Sequence, residues 1–421
     1  MDIGSIELTG LEPEVRSLRN GRNVYLFADA NTELVRMDFV FEAGAVYQPQ
    51  LLVSAVANSL FTEGTLHHTA VQIADFMDAR GVAIEHSRDY MTASLTVYVL
   101  RKYAEELLPL LHEMMTEPLW SEAEYDVYVS KLKQHILTAE GKTSQVARNL
   151  FYAGLYGQNH PYGTYAGVKD VEALTLSVVR SFYQERYNLD EMKIILSGAV
   201  DEQLLSAVGA EWGTVQGCGC VHRMFCAAPS SDAVSVGHLQ KGIEGAVQNT
   251  VRVGRLLPLQ WQDEELSSFM VLNTVLGGYF GSRLMTNLRE DKGYTYGIYS
   301  NVYLAYGSLA FFAVADVASE HSAAALKEIR SEMTRLCEEP IGAEELQCVV
   351  NYMVGDFLRS IDGVFERAER FKQMYESGID EQFTRNLLSA LSMITPDQLR
   401  ATAQHYLDPS RMLEVEVGQV G

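Results

Sequence analysis

The sequence predicts an α+β protein made of two homologous domains, each an antiparallel-rich sheet with helices packed on one face. Two observations carry this prediction. Short strands with period-2 alternation are interspersed with amphipathic helices throughout. The second half also repeats the grammar of the first: 112–125 (HEMMTEPLWSEAEY) has a counterpart in 331–346 (SEMTRLCEEPIGAEEL), and 176–198 in 394–418. Pro118 and Pro340 lie 222 residues apart, and Tyr187 and Tyr406 lie 219 apart. Two well-separated anchors with nearly one offset point to duplication, and a long unit occurring twice gives two domains rather than a solenoid. The predicted boundaries are 1–212, a linker at 213–232 where Gly, Cys, Pro and Ser interrupt the periodicity, and 233–421.

In the first half, residues 24–28 and 34–41 read as strands. Val35, Met37, Phe39 and Phe41 alternate with Arg36 and Asp38, giving one apolar face. Residues 52–65 (LVSAVANSLFTEGT) read as an apolar helix running into a Glu-Gly-Thr stop. Ser54 and Asn58 stand four residues apart and so share a face of it. A helix at 71–80 closes at Gly81, a strand follows at 89–100, and a helix at 103–115. Ser121 and Glu124 have the spacing of a capping box for a helix at 122–138. A helix at 178–187 then leads into a strand at 192–197. In the second half, 246–253 and 309–314 read as strands and 264–276 as a helix. Thr395, Pro396 and Gln398 mark another helix start.

Composition narrows the function classes. At 421 residues the chain is long enough for two cores, and its 47% hydrophobic and 21% charged content is that of a globular protein. A net charge of −22 argues against nucleic acid and against an anionic membrane surface as partners. Such a charge attracts cationic ligands such as basic peptides, and equally serves solubility alone. Residues 1–10 show no signal-peptide pattern, no run approaches a membrane span, and five cysteines make no disulfide framework, so a cytoplasmic location is expected.

Five segments, in this order, resemble the pitrilysin/insulinase family of zinc metallopeptidases, and within it the two-domain subunits of the mitochondrial-processing-peptidase type. They are 39–47 (FVFEAGAVY), 61–65 (FTEGT), 87–90 (SRDY) entering a strand, 159–163 (NHPYG) and 277–297 (GGYFGSRLMTNLREDKGYTYG). The resemblance implies that catalytic members carry an HxxEH helix, whose histidines and a more distant glutamate hold zinc while its own glutamate deprotonates the metal-bound water. Here the motif is placed on Ser54-Ala55-Val56-Ala57-Asn58, and the distal ligand on Gln134 or His135. A hydroxyl and an amide are poor zinc ligands, and Ala57 accepts no proton. The resemblance therefore implies a non-catalytic subunit that binds no cofactor itself.

The same resemblance implies an Arg and a Tyr, seven residues apart in the second domain, that hold the substrate backbone. Arg289 and Tyr296 match this spacing, and a guanidinium and a phenol are suitable donors to peptide carbonyls. The plainer alternative pairs Arg289 with Glu290 or Asp291 and makes Tyr296 a strand-face aromatic. The glycines Gly277, Gly278 and Gly281 lack the Lys-Ser/Thr of a phosphate loop and are expected to admit a peptide backbone closely. The implied partner is an HxxEH-bearing homologous subunit that brings the zinc, or a second copy of this chain in its absence, acting on a basic or extended peptide. A scaffold without proteolytic role and an active peptidase with an atypical metal site are the alternatives. Elsewhere, Cys218, Cys220, His222 and Cys226 have the chemistry of a structural zinc site with tighter spacing than usual, or are reduced thiols of a linker. His67 and His68 show no evident carboxylate partner, and His160 is expected to fix a Pro/Gly turn.

Overall fold

The computed structural model describes residues 11–213 and 228–419; Cys218, Cys220, His222 and Cys226 lie outside the described residues. The first sheet contains β1 (Glu14–Ser17), β2 (Asn23–Ala28), β3 (Leu34–Phe41), β4 (Ala83–Arg88), β5 (Ala93–Leu100) and β6 (Lys193–Gly198). The second contains β7 (Gly237–Gly242), β8 (Gln248–Leu257), β9 (Thr295–Ala305), β10 (Ser308–Ala318) and β11 (Leu413–Gly418). Their spatial orders are β1-β2-β6-β3-β5-β4 and β7-β11-β8-β10-β9. From β2 and from β7 onward the two orders are the same pattern. In each, the first pair is parallel (β2 with β6, β7 with β11) and every later pair antiparallel. The duplication seen in the sequence is thus a duplication of topology, and the α+β class stands.

Each half packs its own helices on one face of its sheet. In the first half, Phe39 meets the fully buried Trp212 at 5.1 Å between rings. In the second, Phe269 meets Phe311 edge-on at 5.4 Å. Burying such side chains is worth roughly 1.5–3 kcal/mol each. Helix starts follow local chemistry. Thr395 and Gln398 form the expected capping box with Pro396 in the first turn. At Ser121 only the serine half forms, its hydroxyl accepting from the Glu124 N–H.

The opposite faces are covered by an exchange of helices. Helix Thr143–Tyr156 of the first half lies on the second sheet, with Phe151 and Leu155 in one buried cluster with Phe312, Leu413 and Val415. A Cβ on Gly154 would sit 2.5 Å from Leu413 Cδ2, so glycine permits this approach. Helix Val364–Ser377 of the second half lies on the first sheet, where Val364 and Ala368 pack with Phe27, Val40 and Ile195.

This exchange corrects the expectation of one apolar face on β3. Arg36 and Asp38 are buried, because the arriving helix brings their partners. Asp38 accepts from Arg36 twice at 2.8 Å and from Thr96 at 2.7 Å, and Lys372 Nζ stands 3.4 Å from it. Glu369 closes the network on Arg36. Among the described residues no helix is long and apolar enough to cross a membrane.

Candidate functional site

The apolar helix at the expected metal position spans Val53–Leu60. Ser54 and Asn58 do share a face, but that face is turned into the core. The Ser54 hydroxyl donates to the Ala43 carbonyl at 2.5 Å. The Asn58 amide donates to the carbonyls of Ser87 at 2.8 Å and Ser94 at 3.3 Å, and its oxygen accepts from the Tyr187 hydroxyl at 3.0 Å. Ala57 is fully buried as well. These side chains stitch the helix to β4, β5 and the end of the helix Leu176–Arg186.

The surface that this helix shows to solvent lies one residue further on. Ala55 lines a cleft of about 730 Å³ together with Leu52, and His135 lines the same cleft from helix Glu122–Glu140. Ser59, one turn beyond Ala55, donates to the Tyr128 hydroxyl at 3.1 Å. Gln134, the other distal position, is the i−4 carbonyl acceptor of Thr138. A methyl group, a hydroxyl and one imidazole do not make a zinc site. Among the described residues no cluster of three or more His, Cys, Asp or Glu side chains could hold a metal ion. The donors do not fit the zinc that the family implies.

His67 and His68 do have carboxylate partners, contrary to expectation. His67 Nε2 lies 2.8 Å from Glu117, and His68 Nδ1 lies 2.9 Å from Glu113. These are two separate pairs on one loop-to-helix contact. His160 behaves as expected: its Nδ1 accepts from the Tyr162 N–H at 3.1 Å inside the turn. The segment 87–90 ends β4 and turns into β5, and Arg88 and Asp89 line the cleft and its neighbouring cavity. Burial raises the Tyr90 hydroxyl to about 12 and pushes Tyr303 and Tyr162 higher still, so these phenols stay neutral donors.

In the second half, residues 264–276 begin as helix Glu264–Asn273 and widen into a π-type turn at Thr274–Gly278. A second such segment, Met285–Asp291, carries Arg289 against β9, which carries Tyr296. The Tyr294 N–H donates to the Leu288 carbonyl and holds the two together at 2.9 Å. Arg289 forms no ion pair with Glu290 or Asp291; its guanidinium lies over the Phe280 ring at 4.6 Å. Phe280 is itself 64% exposed. Tyr296 is 91% exposed on β9, the edge strand of its sheet. Gly277 serves an internal need rather than a bound peptide, because a Cβ there would lie 2.6 Å from Ser300 Oγ and 2.7 Å from its N.

Residues 173–353 match the family model described as Peptidase M16 inactive domain. Over those residues the chain is similar to the M16 peptidase family. An uncharacterized zinc protease of Streptomyces coelicolor is 24% identical, over 85% of this chain and 78% of that protein. The non-peptidase homolog YmxG of Helicobacter pylori is 21% identical, over 82% of this chain and 79% of its own. Among solved structures, a peptidase M16 inactive domain from Pseudomonas fluorescens superposes with a TM-score of 0.83 at 19% identity, covering 97% of this chain and 98% of its own. A protease from Helicobacter pylori gives 0.84 at 16% identity, over 97% and 100%. The M16 fold is therefore present along nearly the whole chain. The match to an inactive domain and to a non-peptidase homologue supports a non-catalytic role.

Proposed function

We propose that this chain is the substrate-holding, non-catalytic subunit of a heterodimeric zinc peptidase, with Arg289 and Tyr296 completing the site of an HxxEH-bearing partner. The observation that carries the reading is the contrast between the two halves. In the first, the expected metal positions are spent on core hydrogen bonds. In the second, a guanidinium without a carboxylate partner rests on an exposed ring beside an edge strand that presents a free phenol. An Arg on an aromatic face keeps its outward N–H groups for a ligand carbonyl, and an edge strand offers unpaired backbone groups to an extended chain.

The partner supplies the zinc, and the complex acts on extended or basic peptides in the cytoplasm. The test is co-expression with HxxEH-bearing homologues, followed by cleavage of a quenched peptide mixture. Cleavage is expected only in the mixture, and Arg289→Ala is expected to abolish it while the complex still elutes as one species. Full cleavage by the Arg289→Ala complex would instead make this chain a scaffold. Chelator-sensitive cleavage by the chain alone would overturn the reading.

A further inference from the structure

The surface beside Ala55 has lost its metal chemistry without being filled in. The 730 Å³ cleft runs into a neighbouring cavity of about 270 Å³, and Leu52, Arg88, Tyr165 and Ala166 belong to both. Three cations converge there from distant parts of the chain: Arg88 at the end of β4, Arg148 on helix Thr143–Tyr156, and Lys241 on β7. Among the described residues none of their charged groups has an ion pair or a hydrogen bond; Arg148 has only the Tyr152 ring, 6.0 Å away.

In a protein with 55 acidic side chains against 33 basic ones, three cations without a carboxylate partner share one cleft. Two carboxylates also reach the cleft, Glu140 and Asp89, and Asp89 already accepts from the Tyr303 hydroxyl at 3.3 Å. The cations remain in excess. Part of the lining is apolar, made by Leu52, Ala55, Leu132, Ile136 and Leu150. The volume is that of a small-ligand pocket and too small for a folded domain.

We infer that this cleft binds a carboxylate attached to an apolar body, the chemistry of a peptide C-terminus ending in a large aliphatic residue. An arginine fork pairs with a carboxylate through two parallel N–H···O bonds. The apolar body covers wall that would otherwise face water. The methyl group of Ala55 leaves room where a longer side chain would intrude. A free medium-chain carboxylic acid carries the same chemistry, so the experiment needs both sources. The site is separate from Arg289 and Tyr296 and stands without the heterodimer.

The full chain is titrated by calorimetry with N-acetyl-Ala-Ala-Leu, with its C-terminal amide, and with octanoate. The acid peptide is expected to bind, the amide to bind about tenfold more weakly or worse, and added salt to weaken binding. Octanoate binding alone would also support the site and assign it to a free acid. Arg88→Gln with Arg148→Gln, two exposed positions, is expected to reduce affinity about tenfold or more at unchanged melting temperature; Lys241→Gln gives an independent reading. Equal binding of acid and amide, wild-type affinity in both variants, or no binding of either acid at millimolar concentration would overturn the inference.

Discussion

The Asn58 side-chain oxygen accepts the Tyr187 hydroxyl at 3.0 Å, and both groups are buried between the helix Val53–Leu60 and the helix Leu176–Arg186. A residue so engaged serves the fold. Asn58→Ala strands the Tyr187 hydroxyl and frees the Ser87 carbonyl, so it is expected to cost about 2–4 kcal/mol. Urea unfolding measures this directly, and a change below about 0.5 kcal/mol would contradict the assignment.

The one-residue turn of the helix has its own consequence. Histidines introduced together at Ala55, which lines the cleft, and at the half-buried Ser59 are expected to leave the fold intact. The pair Ser54→His with Asn58→His forces two imidazoles into packed core and is expected to lower the melting temperature sharply. Thermal unfolding of the two double variants separates these outcomes, and equal stability would show that both faces are equally open.

Asp38 holds two buried cations, Arg36 from its own strand and Lys372 from the exchanged helix. Asp38→Asn keeps the shape and removes the charge, leaving Lys372 uncompensated and Arg36 with Glu369 alone, at an expected cost of about 3–5 kcal/mol. Because Lys372 belongs to the other half of the chain, the loss should appear as loosened docking of helix Val364–Ser377. Hydrogen exchange along that helix is the measurement, and unchanged protection would contradict this.

One carboxyl at the same seam gives a pH dependence. Burial pushes Glu376 up to about 7, aided by Asp89 and Glu369 and opposed by Lys372. A carboxyl with a raised folded pKa stabilises the protein below its unfolded value, near 4.5, and that contribution is lost as pH rises toward 7. The loss is roughly 2–3 kcal/mol across that window. Glu376→Gln is expected to flatten stability between pH 5 and 7, as read by denaturant midpoints. A wild-type pH profile in the variant would refute the placement.

The sequence was most legible where local pattern and packing agree. Strand Leu34–Phe41 and the Thr395 cap were readable because alternation and capping are local rules. The edge strands β4 and β9 were not, since an edge carries no two-sided apolar signal. The helix exchange was hidden because the partners of Arg36 and Asp38 lie more than 300 residues away. At the site, a spacing of four placed Ser54 and Asn58 on one face but gave no means of choosing the core face from the open one. Arg88, Arg148 and Lys241 meet only in three dimensions, and each alone reads as a solvated surface charge.

The central claim is that the first half does no metal chemistry while the second half keeps a ligand-holding surface. Zinc content and peptide cleavage, measured together on the purified chain equilibrated with zinc, test its first part most directly. The account predicts no stoichiometric zinc in the described domains and no cleavage above the buffer rate. One zinc per chain that is lost on His135→Ala together with cleavage activity would contradict it.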